Sequence, residues 1–207
     1  MHDLRAGKTH KLGFRLVATR SGRLYLKGSV AVVTALEVVS DGARFWFVLP
    51  SRKTVWTGAS AARHLAVAGD EAPYQVLRPG DIVEALMPPP LELGPDEVLM
   101  LEADASAYAV SVVQVEGTRG RLRRRIWLAR DTLVPSRTRT YDGVGETLAE
   151  VDLGQWQDGL PRFITVSRPQ EGYQAGFSLS KVDRNGKLPE KAFQPRLPEG
   201  YTVVEVQ

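Results

Sequence analysis

Apolar side chains recur at every second position through most of this sequence, and the runs that carry them are separated by turns rich in Gly, Asp and Asn. A period of two places alternate side chains on opposite faces of a strand, so such a chain folds as sheet with one buried face. Leu12, Phe14, Leu16 and Ala18 alternate with Gly13, Arg15, Val17 and Thr19; Ser21-Gly22 then turns the chain into Leu24, Leu26 and Gly28, set against Arg23, Tyr25 and Lys27. A run from Val32 to Val39 ends at Ser40-Asp41-Gly42 and resumes at Arg44 to Leu49, the Asp-Gly pair being a strong hairpin signal. Pro50 to Lys53 turns into Val55-Trp56.

The second half follows the same grammar. Glu97 to Ala103, Ala107 to Val115, Arg121 to Leu128 and Leu133 to Tyr141 read as strands, followed by others near Leu148 to Leu153, Arg162 to Ser167 and Tyr173 to Val182. Tyr141-Asp142-Gly143-Val144-Gly145 and Asp183-Arg184-Asn185-Gly186 are expected hairpin turns, since Gly and Asn tolerate positive φ. Two segments read as helical. One is a turn over Ser60 to Ala66 with Ser60 as N-cap; the other is Pro79 to Met87, where Pro opens the helix, Ile82, Val83, Leu86 and Met87 share a face, and Pro88-Pro89-Pro90 ends it. Roughly ten strands joined by hairpins exclude a parallel α/β sheet and favour a meandering sheet or barrel. The length of 207 residues suits a single domain spanning residues 1–207.

Chemistry-bearing clusters are missing from the pattern. His2, His10 and His64 are isolated, without the paired spacing of metal ligands, and there is no Cys, so neither a metal site nor a thiol nucleophile is expected. Ser60 in Gly58-Ala59-Ser60-Ala61 lacks the second Gly of a nucleophile elbow, and Gly117-Thr118-Arg119-Gly120 lacks a phosphate loop's glycine spacing and following helix. The expectation is no catalytic residue and no cofactor. A carboxylate pair assembled from distant strands stays open as a hydrolase reading, although alternation sends Glu97 and Glu102 to opposite faces.

Arg121-Leu122-Arg123-Arg124-Arg125-Ile126-Trp127-Leu128 is the one concentrated basic segment, in a chain whose formal charge is only +3. Strict alternation puts Arg121, Arg123, Arg125 and Trp127 on one face and Leu122, Ile126 and Leu128 on the other. That describes a charged outer face backed by core; no aromatic platform or recognised module supports nucleic-acid binding. Arg124 is the exception, since it falls on the apolar side, where a guanidinium needs a carboxylate or carbonyl partner.

Several segments together resemble the LolA/LolB superfamily of periplasmic lipoprotein carriers and outer-membrane lipoprotein receptors. Ser40 to Pro50 resembles the family's Asp-Gly hairpin leading into an aromatic strand that ends in Pro, and Ser51 to Gly58 the strand and turn that follow. Arg125 to Leu128, Leu133 to Arg137, Tyr141 to Gly145, Leu160-Pro161-Arg162, Phe193 and Pro198 to Val204 are similar to later elements. The resemblance covers the chain from about Gly13 onward.

This likeness implies a mainly β fold: a highly curved antiparallel sheet forming an incomplete barrel, with one or two short helices covering its concave face. It implies non-catalytic binding of a lipid or of a lipoprotein's acyl chains. The groove-lining residues on that reading are Leu24, Leu26, Phe45, Phe47, Leu49, Leu99, Leu101, Ile126 and Leu128, with Ile82, Leu86 and Met87 from the covering lid. The same side chains would also fill an ordinary packed core, and the sequence does not separate the two. Leu91 and Leu93, beyond the Pro run, form a stiff apolar loop suited to a membrane or a partner, or to packing beneath the loop.

The implied setting is the periplasm, with a monomeric protein and lipid or acylated lipoprotein as partner. Leu26-Lys27-Gly28-Ser29 stands where soluble carriers place an Arg before a Pro, which favours a receptor-like or divergent lipid-binding member; the resemblance also allows anchoring to the outer membrane by an N-terminal lipid. Met1-His2-Asp3-Leu4 carries no secretory signal, so one is expected to have preceded Met1 and been removed. The alternative is an envelope scaffold that binds protein partners through its outer face or the Leu91/Leu93 loop.

Overall fold

The computed structural model describes residues 2–3, 8–9, 11–60, 78–188 and 190–206. His10, His64 and the expected helical turn beyond Ser60 lie outside the described residues. Two short strands, β1 (His2–Asp3) and β2 (Lys8–Thr9), precede β3 (Gly13–Ala18), β4 (Arg23–Val30), β5 (Val33–Asp41), β6 (Arg44–Leu49) and β7 (Thr54–Ala59). Helix α1 (Pro79–Leu86) follows, then β8 (Glu97–Ala103), β9 (Ala107–Glu116), β10 (Arg119–Ala129), β11 (Pro135–Tyr141), β12 (Thr147–Gln157), β13 (Leu160–Arg168), β14 (Tyr173–Ser178) and β15 (Thr202–Glu205).

The chain divides into two compact units: Met1–Lys8 with Pro89–Lys181, and Thr9–Pro88 with Val182–Gln207. The first carries a nine-stranded sheet in the order β2-β1-β14-β13-β12-β11-β10-β9-β8, the second a six-stranded sheet in the order β15-β7-β6-β5-β4-β3. Every pairing from β3 to β7 and from β8 to β14 is antiparallel. Neither sheet closes on itself, so the expected mainly β, open architecture is present, its strands shared between two sheets.

Turn chemistry explains the hairpins. Between β5 and β6 the Asp41 carboxylate accepts the amides of Ala43 and Arg44, both at 2.8 Å, while Gly42 adopts φ +103°. A Cβ at Gly42 would lie 2.8 Å from the Ser21 carbonyl oxygen, so only Gly fits. In the turn joining β11 to β12, Asp142 similarly accepts from Val144 and Glu146. Between β8 and β9, Asp104 accepts from the Ser106 amide, the Ser106 hydroxyl and the Ala107 amide at 2.7–2.8 Å.

Helix α1 lies against β4 and β5, burying Ile82, Val83, Ala85 and Leu86. Met87, expected on the same helical face, is instead the terminating residue, half-buried at φ −137°, ψ 71°. Pro88 is the cause, since a following proline disfavours the helical conformation. The 3-10 turn Glu190–Phe193 also contacts β4 and β5, with the Arg23 guanidinium 4.7 Å from the Phe193 ring centre and 2.6 Å from Glu190.

Two expectations about strands are corrected, and one pairing is new. Asp183–Gly186 does turn, with Asn185 at φ +55°, but it joins no hairpin: β14 has already ended at Ser178, and Lys187-Leu188-Pro189-Glu190-Lys191 lacks the apolar alternation for a returning strand. β11 begins at Pro135, because Leu133 takes φ +55° in the preceding turn. Strand β15 pairs with β7 in parallel, Val203 opposite Val55 and Val204 opposite Trp56, a long-range pairing that no local turn announces.

That parallel edge depends on Gly58, where a Cβ would sit 2.6 Å from the Val206 carbonyl oxygen and 2.8 Å from its side chain. Gly58→Ala is expected to destabilise the protein by about 1–3 kcal/mol through overpacking, opposite in sign to the gain that Gly→Ala brings where space allows. Thermal unfolding followed by circular dichroism tests it; an unchanged midpoint would contradict this packing. A second expectation concerns Asp104, whose hydrogen bonds, the Ser106 amide first, hold its carboxyl below the usual aspartate range. The unfolded chain therefore protonates first on acidification. The turn's contribution is complete above the ordinary aspartate pKa and is lost as pH falls through the depressed one. NMR titration should show Ser106 and Ala107 amide shifts following that low midpoint, and Asp104→Asn should abolish the step.

Candidate functional site

The six-stranded sheet carries one face built almost entirely of apolar side chains. Leu16, Leu26, Val38, Phe47 and Trp56 stand opposite one another in successive strands, and the neighbouring row is Ala18, Leu24, Ser40, Phe45 and Gly58. Leu24, Leu26, Phe45, Phe47 and Leu49, all expected to line a groove, share this face and are buried. Phe47 and Trp56 rings stand 5.9 Å apart at a 59° tilt, a favourable edge-oriented arrangement. Ser40, the polar member, is fully buried and bonded: its hydroxyl accepts from Gly42, donates to the Gly22 carbonyl and shares a 3.0 Å hydrogen bond with Ser60. Of the expected lid, Ile82 and Leu86 are buried on α1 in the same unit.

The remaining expected groove residues belong to the other unit. Leu99 and Leu101 on β8, with Ile126 and Leu128 on β10, lie on one face of the nine-stranded sheet, because Leu101 opposes Val110 and Val110 opposes Ile126. Their surroundings differ from those of the first group: Leu99 is 48% and Leu101 69% exposed, while Ile126 and Leu128 are half-buried. β8 is the sheet's terminal strand, and Val98 and Met100 on its other face are exposed as well. Alternation missed this pair; the available signal was the unbroken run Val98-Leu99-Met100-Leu101, which has no polar face to turn to water. Leu91 and Leu93 are both exposed, 39% and 45%, in the segment between α1 and β8.

The arginine strand departs from strict alternation. A bulge at Arg123 shifts the register so that Leu122 opposes Val113 while Arg124 opposes Val112. Arg121 and Leu122 thereby exchange faces relative to the expectation: Leu122 goes with Arg125 and Trp127, and Arg121 goes with Ile126 and Leu128. Arg124 stays on the apolar side, as expected, but its Nε is buried with no hydrogen-bond partner among the described residues.

On the opposite face the charges are matched. Arg125 pairs with Glu102, Arg139 with Glu150, and Arg137 with Asp152 at 2.6 Å. Guanidinium carbons of Arg125 and Arg139 lie 5.3 and 5.6 Å from the Trp127 ring centre. Hydrogen bonding to Asp152 and Glu150 raises the already high pKa values of Arg137 and Arg139. The aromatic ring is covered by side chains of its own sheet, and the cations facing it have carboxylate partners, so this is a self-contained charged lattice rather than an open basic surface. Among the described residues no group of three or more His, Asp or Glu side chains could hold a metal ion, and no helix is long and apolar enough to cross a membrane.

Two substitutions separate the two groups of apolar residues. Phe47→Ala should cost about 3–5 kcal/mol, as for a buried aromatic, whereas Leu101→Ala should change stability by less than about 0.5 kcal/mol, as for an exposed site. Urea unfolding of both variants measures the difference; comparable losses would show that the Leu101 side chain is packed.

No protein-family model matches the chain, and no curated protein matches it in sequence. Solved structures do. A DUF1329 family protein from Desulfovibrio piger superposes with a TM-score of 0.52 at 18% identity, over 91% of this chain and 84% of that one. A LolA superfamily protein from Nitrosomonas europaea superposes with a TM-score of 0.53 at 13% identity, over 89% and 81%. Identity this low speaks to fold and not to function. On that ground, the chain has a LolA-like fold.

Proposed function

We propose that this protein binds a lipid, or the acyl chains of a lipoprotein, non-covalently on its apolar sheet faces, and serves lipoprotein localisation or lipid handling in the bacterial envelope. The observation that carries this reading is the LolA-like fold combined with leucines left exposed on the face that resemblance assigns to ligand. An exposed apolar edge strand is costly in solution, and a bound acyl chain removes that area from water at roughly 0.8 kcal/mol per buried methylene. On this reading Leu99, Leu101, Ile126 and Leu128 touch ligand, and the protein works in the periplasm without chemistry of its own. Anchoring to the outer membrane, through a lipid on the N-terminal side, belongs to the same proposal.

Organic extraction of the purified protein followed by lipid mass spectrometry should recover a stoichiometric acyl ligand. Titration of delipidated protein with palmitate should then saturate, and the Leu99→Gln/Leu101→Gln double variant should bind about tenfold more weakly, given the loss of two leucine contacts. No recovered lipid together with no saturable binding would refute the reading. The exposed Leu91 and Leu93 favour a second one, an envelope scaffold that docks a protein partner through that loop. Leu91→Ser/Leu93→Ser should then abolish partner capture and leave palmitate binding untouched.

A further inference from the structure

The guanidinium of Arg124 occupies a setting unlike that of its neighbours. Arg121, Arg125, Arg137 and Arg139 each face a carboxylate, whereas Arg124 has none among the described residues; its Nε, like that of Arg125, is buried without a partner among those residues. Burying an N–H of a permanently charged group without an acceptor is strongly unfavourable, so a native site of this kind calls for an explanation. The residue as a whole is half-buried, so the side chain is not sealed within the protein.

Its position is set by register. Arg124 lies between Val112 of β9 and Thr140 of β11, and Val112 in turn opposes the exposed Leu99. Along β10, Ile126 and Leu128 continue the same face, which places Leu128 about 13 Å from Arg124 at 3.3 Å per residue. The bulge at Arg123 marks where this geometry begins. One cation at the head of an apolar track, lacking an internal counter-ion, is complementary to an amphiphile with a single anionic head.

We propose that Arg124 binds the anionic head group, carboxylate or phosphate, of a single-chain amphiphile whose acyl chain lies along Ile126 and Leu128 beside Leu99 and Leu101. The inference rests on the acyl-binding reading above and adds the head-group class and its anchor. A planar guanidinium presents paired donors that match two oxygens of a carboxylate or phosphate, and the low-polarity surroundings strengthen each bond.

The test compares palmitate, methyl palmitate, a lysophosphatidate and inorganic phosphate on the full delipidated chain by calorimetric titration. A charge-assisted hydrogen bond predicts that palmitate binds roughly 10- to 100-fold tighter than its methyl ester. In Arg124→Gln that ratio should collapse towards one while ester affinity holds, and Arg124→Lys should retain part of it. Equal affinity for acid and ester in the wild-type protein overturns the head-group assignment but leaves acyl binding standing. Failure of acid and ester alike overturns both. Inorganic phosphate binding as tightly as the lysophosphatidate would make this a free-anion site and overturn the amphiphile. Should Arg124→Gln not fold, the wild-type acid-to-ester ratio decides by itself.

Discussion

Antiparallel register is the constraint on which everything else in this protein depends. Each residue of β4 from Leu24 to Ser29 is placed opposite one residue of β3 and one of β5, and the row Leu16, Leu26, Val38, Phe47 and Trp56 forms because the strands keep the same phase there. A slip of one residue in any of these strands would turn its apolar set to water and its charged set inward. The turns enforce the phase. Asp41 and Gly42 leave only one way to pass from β5 to β6, and Asp104 does the same between β8 and β9.

Where the register is deliberately broken, the chemistry changes. The bulge at Arg123 rotates Arg121 and Leu122 to faces opposite to those that uniform alternation assigns, and it is followed at once by Arg124 on the apolar side. Arg125, Arg137 and Arg139 are neutralised across neighbouring strands, where side chains directly opposite or diagonal lie within reach. The sheet thus separates a charged lattice around Trp127 from the face on which Ile126 and Leu128 stand in line with Arg124, whose guanidinium has no carboxylate among the described residues. Around Trp127 the carboxylates supplied in place offset the positive charge that the sequence concentrates on β10.

Much of the strand order was legible because its signals are local. Alternation located β3 to β7 and β8 to β14, Asp-Gly and Gly-bearing turns located their connections, and Pro79 with Pro88 bounded α1. The apolar candidates were legible as apolar and no further: Phe45 and Leu99 obey the same rule in sequence, yet one is fully buried and the other half open to solvent. Position within the sheet makes the difference. Phe45 stands in an interior strand, and Leu99 stands on β8, which has a neighbour on one side only.

Taken alone, the sequence determined the strands, most of the turns, the helix and the absence of thiol chemistry, since alternation, turn residues and composition act within a few residues of chain. Only tertiary structure decided the division into two sheets, the parallel docking of β15 on β7 past Gly58, the bulge at Arg123, and which leucines remain exposed. Each of these follows from contacts between residues far apart in the chain, or from which strand happens to lack a neighbour. Local patterns carry no record of that, because the energy that selects among them arises only when distant strands meet.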